Sequence, residues 1–339
     1  MRQFILFTGF AILGLLVVAC AAPAPLKSTD PPLTFTTTGQ RATATAPMSA
    51  STYTYARLND PERIQVHQDG NWVATFTIGA YTVALAGSAR EFTEPGAAGI
   101  SIVHATWVRI LPTPFQEPVN ETWLAAARNA NADNVPDALQ LGMQYIKDAQ
   151  PIMDRDLQIA GDACYGPAEG ADFHDYLGVT WEYPSPEGQD TPKSFEFRCL
   201  DCSGFMRMIF GYRHSMAGAG YADQIPLSIA PRTDHRAIPR RSNVQCESGP
   251  GVIVIPSTGK QVADFSKLQI GDLLCWDASG DDGVIDHVGM YMGIDNSGKH
   301  RFISSRKSID GPTLSDYNGA SILDGTGLYA RSFRMARRY

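Results

Sequence analysis

Hydrophobic and polar residues alternate in short runs between residues 53 and 115. Trp72, Ala74 and Phe76 share one parity, and glycines and a Pro-Gly pair separate the runs. Alternation with a period of two is typical of half-buried strands. The pattern predicts a small β region over residues 52–118, which forms either a separate module or an extension packed against the main domain.

Helical spacing replaces this alternation after residue 118. Asn120 is a candidate N-cap for a first helix. The predicted buried face of this helix consists of Trp123, Leu124 and Ala127. A second predicted helix starts at Pro136 and stops before Pro151. Both helices lead into a main domain over residues 119–339, with its core over 160–339.

A third helical pattern begins at Cys202. Apolar residues follow at helical spacing, namely Phe205, Met208, Ile209 and Tyr212. Cys202 is therefore predicted at the N-terminus of an amphipathic helix, where exposed N–H groups and the helix macrodipole favour an anion. We expect a lowered thiol pKa there, and the thiolate is the attacking form. Cys202 is thus a candidate nucleophile.

A candidate base lies in a later strand. Residues 271–276 are predicted as a turn followed by a strand, and residues 286–293 as a second strand. In the second strand His287 shares a face with Gly289, and Val288 points the other way. The small neighbouring residue predicts an open face beside His287, where a substrate or a helix terminus can approach.

The first 51 residues are predicted to lie outside any folded domain. Residues 1–19 carry Arg2 and an apolar run of about sixteen residues, which is typical of a secretion signal and shorter than a membrane span. The end of this run resembles a bacterial lipobox, which makes Cys20 the lipidation site; the alternative is an ordinary cleaved signal. Residues 20–51 are rich in Pro, Thr and Ala and predict a flexible tether. We expect an extracytoplasmic protein, lipid-anchored to the membrane.

Export changes the interpretation of the remaining cysteines, because disulfides persist in oxidising compartments. Five cysteines follow Cys20, so one thiol stays free if the others pair. Four cysteines allow three pairings, and Cys199 is expected to pair with Cys164 or Cys246. The Cys199-x-x-Cys202 spacing also occurs in redox and zinc sites, but a second such pair is absent from the sequence. We predict no metal and no cofactor.

Charge excludes one class of partner. The chain has 28 Lys+Arg against 35 Asp+Glu, a formal net charge of −7, and its sequence contains no basic run. Nucleic-acid binding requires a positive surface that tracks phosphates. We therefore predict no nucleic-acid partner, and we infer no obligate protein partner.

Four segments follow one another along the second half of the chain, namely Asp201–Phe205, Ile238–Gln245, Leu268–Leu274 and His287–Tyr291. Their order resembles the NlpC-type family of papain-like cell-wall cysteine peptidases. The resemblance spans Cys164 to the C-terminus, about half of the chain. It implies an α+β papain-like fold, in which a helix bearing the cysteine packs on an antiparallel sheet bearing the histidine. It also implies cleavage of peptidoglycan stem peptides between D-Glu and a diamino acid.

The resemblance implies roles for the residues that match the motifs. Cys202 corresponds to the nucleophile and His287 to the general base, while Asp201 and Ser203 flank the nucleophile and contact the substrate. The residue that orients the base is His, Asn or Gln in the family, and Ser304 occupies that position here. A serine hydroxyl is shorter than these side chains.

Three further features qualify the match. His300 is an alternative residue for orienting the base. The segment Ala163–Gly166 matches a substrate-side motif in part, with Ala163 where a tyrosine is expected and Tyr165 as the candidate substrate contact. The spacing of about 85 positions between the cysteine and the histidine is longer than in the family.

Other functions remain open at this stage. Cys202 and His287 have a purely structural interpretation, as a buried thiol and a core histidine. A catalytically silent, lipid-anchored wall-binding protein would keep the same fold. A Cys-His amidase or acyltransferase acting on a non-wall substrate would keep the same chemistry.

Overall fold

The structure is a computed structural model that describes residues 52–213, 223–280 and 282–339. The predicted signal segment, the lipidation site Cys20 and the tether lie outside the described residues. Residues Ala50–Tyr339 form one compact unit. Over the described ranges, no helix has the length and apolar character needed to cross a bilayer.

The described residues form fifteen strands, six α-helices and two shorter helical turns. The strands are β1 (Tyr53–Leu58), β2 (Arg63–Gln68), β3 (Asn71–Thr77), β4 (Thr82–Phe92), β5 (Ile102–Ile110), β6 (Ile152–Asp154), β7 (Leu157–Ala160), β8 (Trp181–Glu182), β9 (Gln189–Asp190), β10 (Val252–Ile255), β11 (Leu273–Trp276), β12 (His287–Ile294), β13 (His300–Arg306), β14 (Gly311–Thr313) and β15 (Phe333–Arg338). The α-helices are α1 (Glu121–Ala132), α2 (Ala138–Met143), α3 (Phe173–Leu177), α4 (Cys202–Arg207), α5 (Ser242–Ser248) and α6 (Leu328–Ser332). A 3-10 turn spans Ser194–Glu196, and a π-helical turn, Met208–Arg213, continues α4.

The predicted β region is a five-stranded antiparallel sheet with β1 to β5 in sequence order. Its Phe76 packs with Trp123 of α1, so this helix covers the sheet. Val108 and Ile110 of β5 belong to the same buried cluster as the residues of α4 and β12. The sheet therefore shares a hydrophobic core with the rest of the unit.

The first predicted helix is confirmed, and the second is shorter than predicted. The Asn120 side chain accepts a hydrogen bond from the Trp123 N–H at 3.0 Å and caps α1. Helix α2 is capped by Asp137, ends at Met143 and does not reach Pro151. It stops early because the following carbonyls accept hydrogen bonds from N–H groups of residues 161 and 163 instead of continuing the helix.

The second sheet has six antiparallel strands in the order β10-β15-β11-β12-β13-β14. The C-terminal strand β15 inserts between β10 and β11, and a disulfide joins Cys246 of α5 to Cys275 of β11. Helix α4 packs on one face of this sheet through residues such as Phe205, which share a core with Val288. The α+β class with antiparallel sheets is confirmed.

The helix that begins at Cys202 is not amphipathic. Every residue of α4 is buried, including Arg207, whose exposed fraction is 0%. The helix lies between the sheet and the loops around Asp172 and Ile238. The charge of Arg207 is neutralised inside the protein, because Arg207 forms an ion pair with Asp172 at 3.0 Å.

Candidate active site

Cys202 is the first residue of α4, as predicted, and its N-cap is Asp201. The Asp201 carboxylate accepts the Gly204 N–H at 2.7 Å. A Cβ atom at Gly204 would lie 2.3 Å from the Ala171 carbonyl oxygen, so only glycine lets the start of the helix approach this loop. The helix N-terminus is thus fixed by a cap on one side and by close packing on the other.

Cys202 is the free thiol among the cysteines of the described residues. Cys164 pairs with Cys199, which is one of the two predicted options, and Cys246 pairs with Cys275. The first disulfide ties the segment before α4 to the segment before Tyr165. The expectation that four cysteines pair and one stays free is confirmed.

The thiol contacts the backbone on both sides of His287. Its sulfur lies 3.9 Å from the Asp286 carbonyl oxygen, and the Val288 N–H donates towards it. Burial, followed by the negative charge of Asp201, raises the pKa of the Cys202 thiol to about 12. The predicted lowering of this pKa is therefore wrong. Desolvation and a neighbouring carboxylate outweigh the effect of a short helix N-terminus.

The Asp201 carboxylate is saturated by protein donors. One oxygen accepts from the Gly204 N–H and the Ser203 hydroxyl, and the other accepts from the Gly170 N–H at 3.1 Å. Arg240 donates to both oxygens, at 3.2 and 2.6 Å. Asp201 and Ser203 flank the thiol as predicted, but their polar atoms are engaged within the protein. Their predicted contact with substrate stays a prediction.

Arg240 links Asp201 to a second buried ion pair. Its Nε lies 3.6 Å from Asp172, which also pairs with Arg207. Burial acts to lower the pKa of Arg240, but the carboxylates of Asp201 and Asp172 raise it overall. Arg207 further donates to the Tyr183 hydroxyl at 2.7 Å. The carboxylates of Asp201 and Asp172 and the cations of Arg240 and Arg207 thus alternate, and their ion pairs hold α4 in position.

His287 is the first residue of β12, and its Nε2 lies 3.1 Å from the Ser304 Oγ on β13. The two residues can meet because Gly289, on the same strand face as His287, has no side chain to keep Ser304 away. A Cβ atom at Gly289 would lie 2.9 Å from the Ser304 Cβ and 2.7 Å from the Ile303 carbonyl oxygen. The glycine therefore lets strand β13 approach, and it does not create the open face that was predicted.

The imidazole of His287 lies among aromatic rings. Its centroid is 5.6 Å from Trp276 and 5.4 Å from Tyr329. The residue is only 9% exposed, so the prediction of an open histidine face is wrong. Burial, followed by the nearby Arg306 cation, lowers the pKa of His287 to about 3, although Asp201 opposes this. Both shifts favour the neutral form, the thiol at Cys202 and the uncharged imidazole at His287.

Tyr165 lies on the thiol side of the site. Burial, followed by the proximity of the Cys202 thiol and the Asp201 carboxylate, raises the pKa of its phenol above the ordinary range. Its backbone N–H donates to Asp310 at 3.0 Å. Asp310 also lines a groove of about 1080 Å³ that runs behind Cys164.

His300 lies apart from this arrangement. Its Nδ1 is 2.7 Å from the Tyr291 hydroxyl, and the two rings are stacked. The structure therefore places His300 with Tyr291 and brings Ser304 to His287. Over the described ranges, no group of three or more His, Cys, Asp or Glu side chains is arranged to hold a metal ion.

Sequence reasoning missed four residues of the site. Arg240 lies in one of the recognised segments, yet its ion pair with Asp201 had no sequence signal. Arg306 follows Ser304 by two positions, so strand alternation could have placed it on the same face. Trp276 and Tyr329 carry no such signal, because packing against His287 depends on the tertiary structure.

Comparisons with known proteins give little further information. No protein-family model matches the chain, and no curated protein matches it. A solved structure described as an NlpC/P60 family protein from Bacillus cereus ATCC 10987 is similar over 85% of this chain and 79% of that chain. The two sequences are 16% identical and the TM-score is 0.25. At this TM-score the similarity carries no argument, and the site rests on its own geometry.

Proposed function

We propose that this protein is a peptidoglycan hydrolase, a cysteine endopeptidase that cuts stem peptides between D-Glu and a diamino acid. The observation that carries the proposal is the free Cys202 thiol at the start of α4, in contact with the backbone on both sides of His287, whose Nε2 meets Ser304. A thiol at the start of a helix that packs on the strand bearing a histidine is the arrangement of papain-like enzymes. The order of the four sequence segments supports the choice of substrate.

In the proposed first half-reaction, the Cys202 sulfur attacks the carbonyl carbon of the scissile amide. The Nε2–H tautomer of His287 donates to Ser304, which leaves Nδ1 to take the thiol proton. Because both groups start neutral, proton transfer accompanies attack and does not precede it. The Cys202 backbone N–H, at the first position of α4, donates to the developing oxyanion.

The first half-reaction ends with release of the amine, and hydrolysis of the thioester is the second. The imidazolium of His287 protonates the leaving amine as the C–N bond breaks, and a thioester to Cys202 remains. His287 then accepts a proton from water, whose oxygen attacks the thioester carbonyl. The C–S bond breaks, and the imidazolium returns its proton to the Cys202 sulfur. The products are the amine, released with its proton as an ammonium, a carboxylate and the restored thiol, so atoms and charges balance.

We also propose that the protein acts outside the cytoplasm, held at the membrane by a lipid on Cys20. Its partner would then be the peptidoglycan beside that membrane, within reach of a tether whose r.m.s. span is roughly 30 Å. This part of the proposal rests on the sequence of residues 1–51.

A second candidate function is a catalytically silent wall-binding protein. The raised pKa of Cys202 and the lowered pKa of His287 favour this alternative, because such a pair holds very little thiolate. Peptide cleavage requires that the bound substrate drive deprotonation of the thiol. Binding of the wall requires no deprotonation at all.

The test uses the full chain purified in detergent, incubated with purified peptidoglycan. Wild type is compared with Cys202→Ala and with Ser321→Ala, a control that removes a buried hydroxyl outside the site. Released fragments are identified by mass spectrometry, and pelleting with peptidoglycan reports binding.

Fragments cut after D-Glu by wild type and by the control, but not by Cys202→Ala, are the expected result. Equal pelleting of all forms with no new amino termini would replace the peptidase with the silent binder. Intact stem peptides, together with Cys202-dependent turnover of a simple amide or acyl ester, would point to the amidase or acyltransferase.

A further inference from the structure

Among the residues that the structure describes, the His287 imidazole makes one side-chain hydrogen bond, to the neutral hydroxyl of Ser304. Ser304 contacts the His287 Nε2 at 3.1 Å, and the O–H of a serine rotates about its Cβ–Oγ bond. Such a contact restrains the imidazole plane weakly. If His287 is to present Nδ1 to the thiol in a fixed orientation, another contact must restrain the ring.

Two aromatic rings flank the imidazole. Trp276, opposite His287 in the β11–β12 pair, lies at 5.6 Å with a 50° tilt, and Tyr329 of α6 lies at 5.4 Å with a 38° tilt. The two flanking rings also contact each other at 5.7 Å. A rotation of the imidazole about its Cβ–Cγ bond would therefore collide with both rings.

Tyr329 is itself held firmly. Its carbonyl accepts the Trp276 indole N–H at 2.8 Å, and Phe302 packs on its ring at 5.2 Å. The Arg306 guanidinium lies 5.4 Å from the ring centroid, a distance suited to a cation–π contact. Tyr329 is 6% exposed. These contacts fix the ring of Tyr329 against His287 from the C-terminal part of the chain.

We propose that Tyr329 is a positioning residue that, with Trp276, clamps the imidazole of His287 in the orientation needed for proton transfer. The ring, rather than the hydroxyl, performs this role. The clamp replaces the restraint that a longer amide or imidazole side chain would supply at the position of Ser304. Its effect on turnover rests on the proposed function, whereas its effect on the imidazole does not.

Tyr329→Leu tests the clamp, and Tyr291→Leu is the matched control. Tyr291 is buried in the same aromatic cluster, but its ring stacks on His300 and not on His287. We expect Tyr329→Leu to lower kcat about 10- to 100-fold with little change in KM, because small misplacements of catalytic groups have effects of this size. Tyr329→Phe should restore kcat to within about threefold. If Tyr329→Leu fails to fold, Tyr329→Met provides an unbranched, ring-free replacement.

A second readout does not depend on activity. Nitrogen NMR of the His287 ring should show a single Nε2–H tautomer in wild type and in Tyr291→Leu, and a mixture in Tyr329→Leu. Equal effects of the two leucine variants on this signal, or a Tyr329→Phe variant as impaired as Tyr329→Leu, would overturn the clamp. An inactive wild type with the expected NMR pattern would reject the peptidase proposal and retain the clamp.

Discussion

The two sides of the site are built differently: ion pairs hold the thiol, and aromatic rings surround the imidazole. On the thiol side, Asp201 pairs with Arg240, and Asp172 pairs with both Arg240 and Arg207. On the imidazole side, the rings of Trp276 and Tyr329 contact His287 directly. The first side depends on charge balance, and the second depends on packing.

The difference shows how each side keeps its reactive group neutral. Burial, followed by the Asp201 carboxylate, disfavours a thiolate at Cys202, while burial, followed by the Arg306 cation, disfavours an imidazolium at His287. Cys202 thus lies near a negative charge, which repels a thiolate, and His287 lies near a positive charge, which repels an imidazolium. The predictions below test this contrast, starting with the largest expected effect.

The reactivity of Cys202 is the most direct test of the thiol side. At pH 7 we expect alkylation by iodoacetamide to be on the order of a hundredfold or more slower than for free cysteine, because a thiol with a raised pKa holds little thiolate. The rate should rise about tenfold per pH unit and should not level off below the raised pKa of the Cys202 thiol, about 12. Mass spectrometry of the peptide that contains Cys202 follows the reaction. An alkylation rate that is fast and independent of pH between about pH 5 and 8 would reveal a thiolate–imidazolium pair. That result would contradict the neutral thiol described above.

Removal of the Asp172 carboxylate should strongly lower the stability of the protein. Asp172→Asn leaves Arg207 buried without its counterion, and breaking such a pair costs about 3–5 kcal/mol of the free energy of unfolding. Urea unfolding followed by fluorescence measures the change. Asp234→Asn, in an exposed pair with Arg232, is the control and should shift the midpoint very little. Equal shifts of the urea midpoint in the two variants would show that the buried ion pair contributes no more to stability than the exposed one.

Arg306, the cation near the imidazole, can be replaced without changing the ion pairs of the thiol side. In the proposed reaction His287 works as the neutral base, so activity falls as pH drops through its pKa, which lies near 3 instead of the ordinary 6.5. Arg306→Met removes the neighbouring cation and should move the acidic limb of kcat/KM upward by about one unit or more. Lys307→Met, the adjacent exposed cation, is the control. An unmoved limb would assign the depressed pKa to burial alone.

The smallest effect is expected at Ser304. Ser304→Ala removes one neutral hydrogen bond of about 1 kcal/mol, so kcat should fall about fivefold while KM changes less. Steady-state kinetics on a defined muropeptide measures both constants, and Ser321→Ala, which loses a buried hydroxyl elsewhere, is the control. A hundredfold loss would mean that Ser304, and not the aromatic clamp, carries most of the orientation of His287.

Local patterns predicted much of the framework. The Asn120 cap and the buried face of α1 were predicted correctly because capping and helical periodicity act within a few residues. The position of Cys202 at a helix start followed from the same kind of signal. Helix α2 was predicted too long, since tertiary hydrogen bonds from residues 161 and 163 end it at Met143.

The amino-acid sequence was enough to predict the order of the motifs, the α+β class, the free thiol left by an odd number of cysteines and the placement of Cys202 at a helix N-terminus. The ionisation of the site depends on the folded protein, because desolvation and through-space charges arise from chain segments far apart in sequence. Arg306 and Tyr329 meet His287 across 19 and 42 positions, and Arg240 meets Asp201 across 39. Local periodicity has no means of recording such contacts, which depend on how the sheet and α4 pack together.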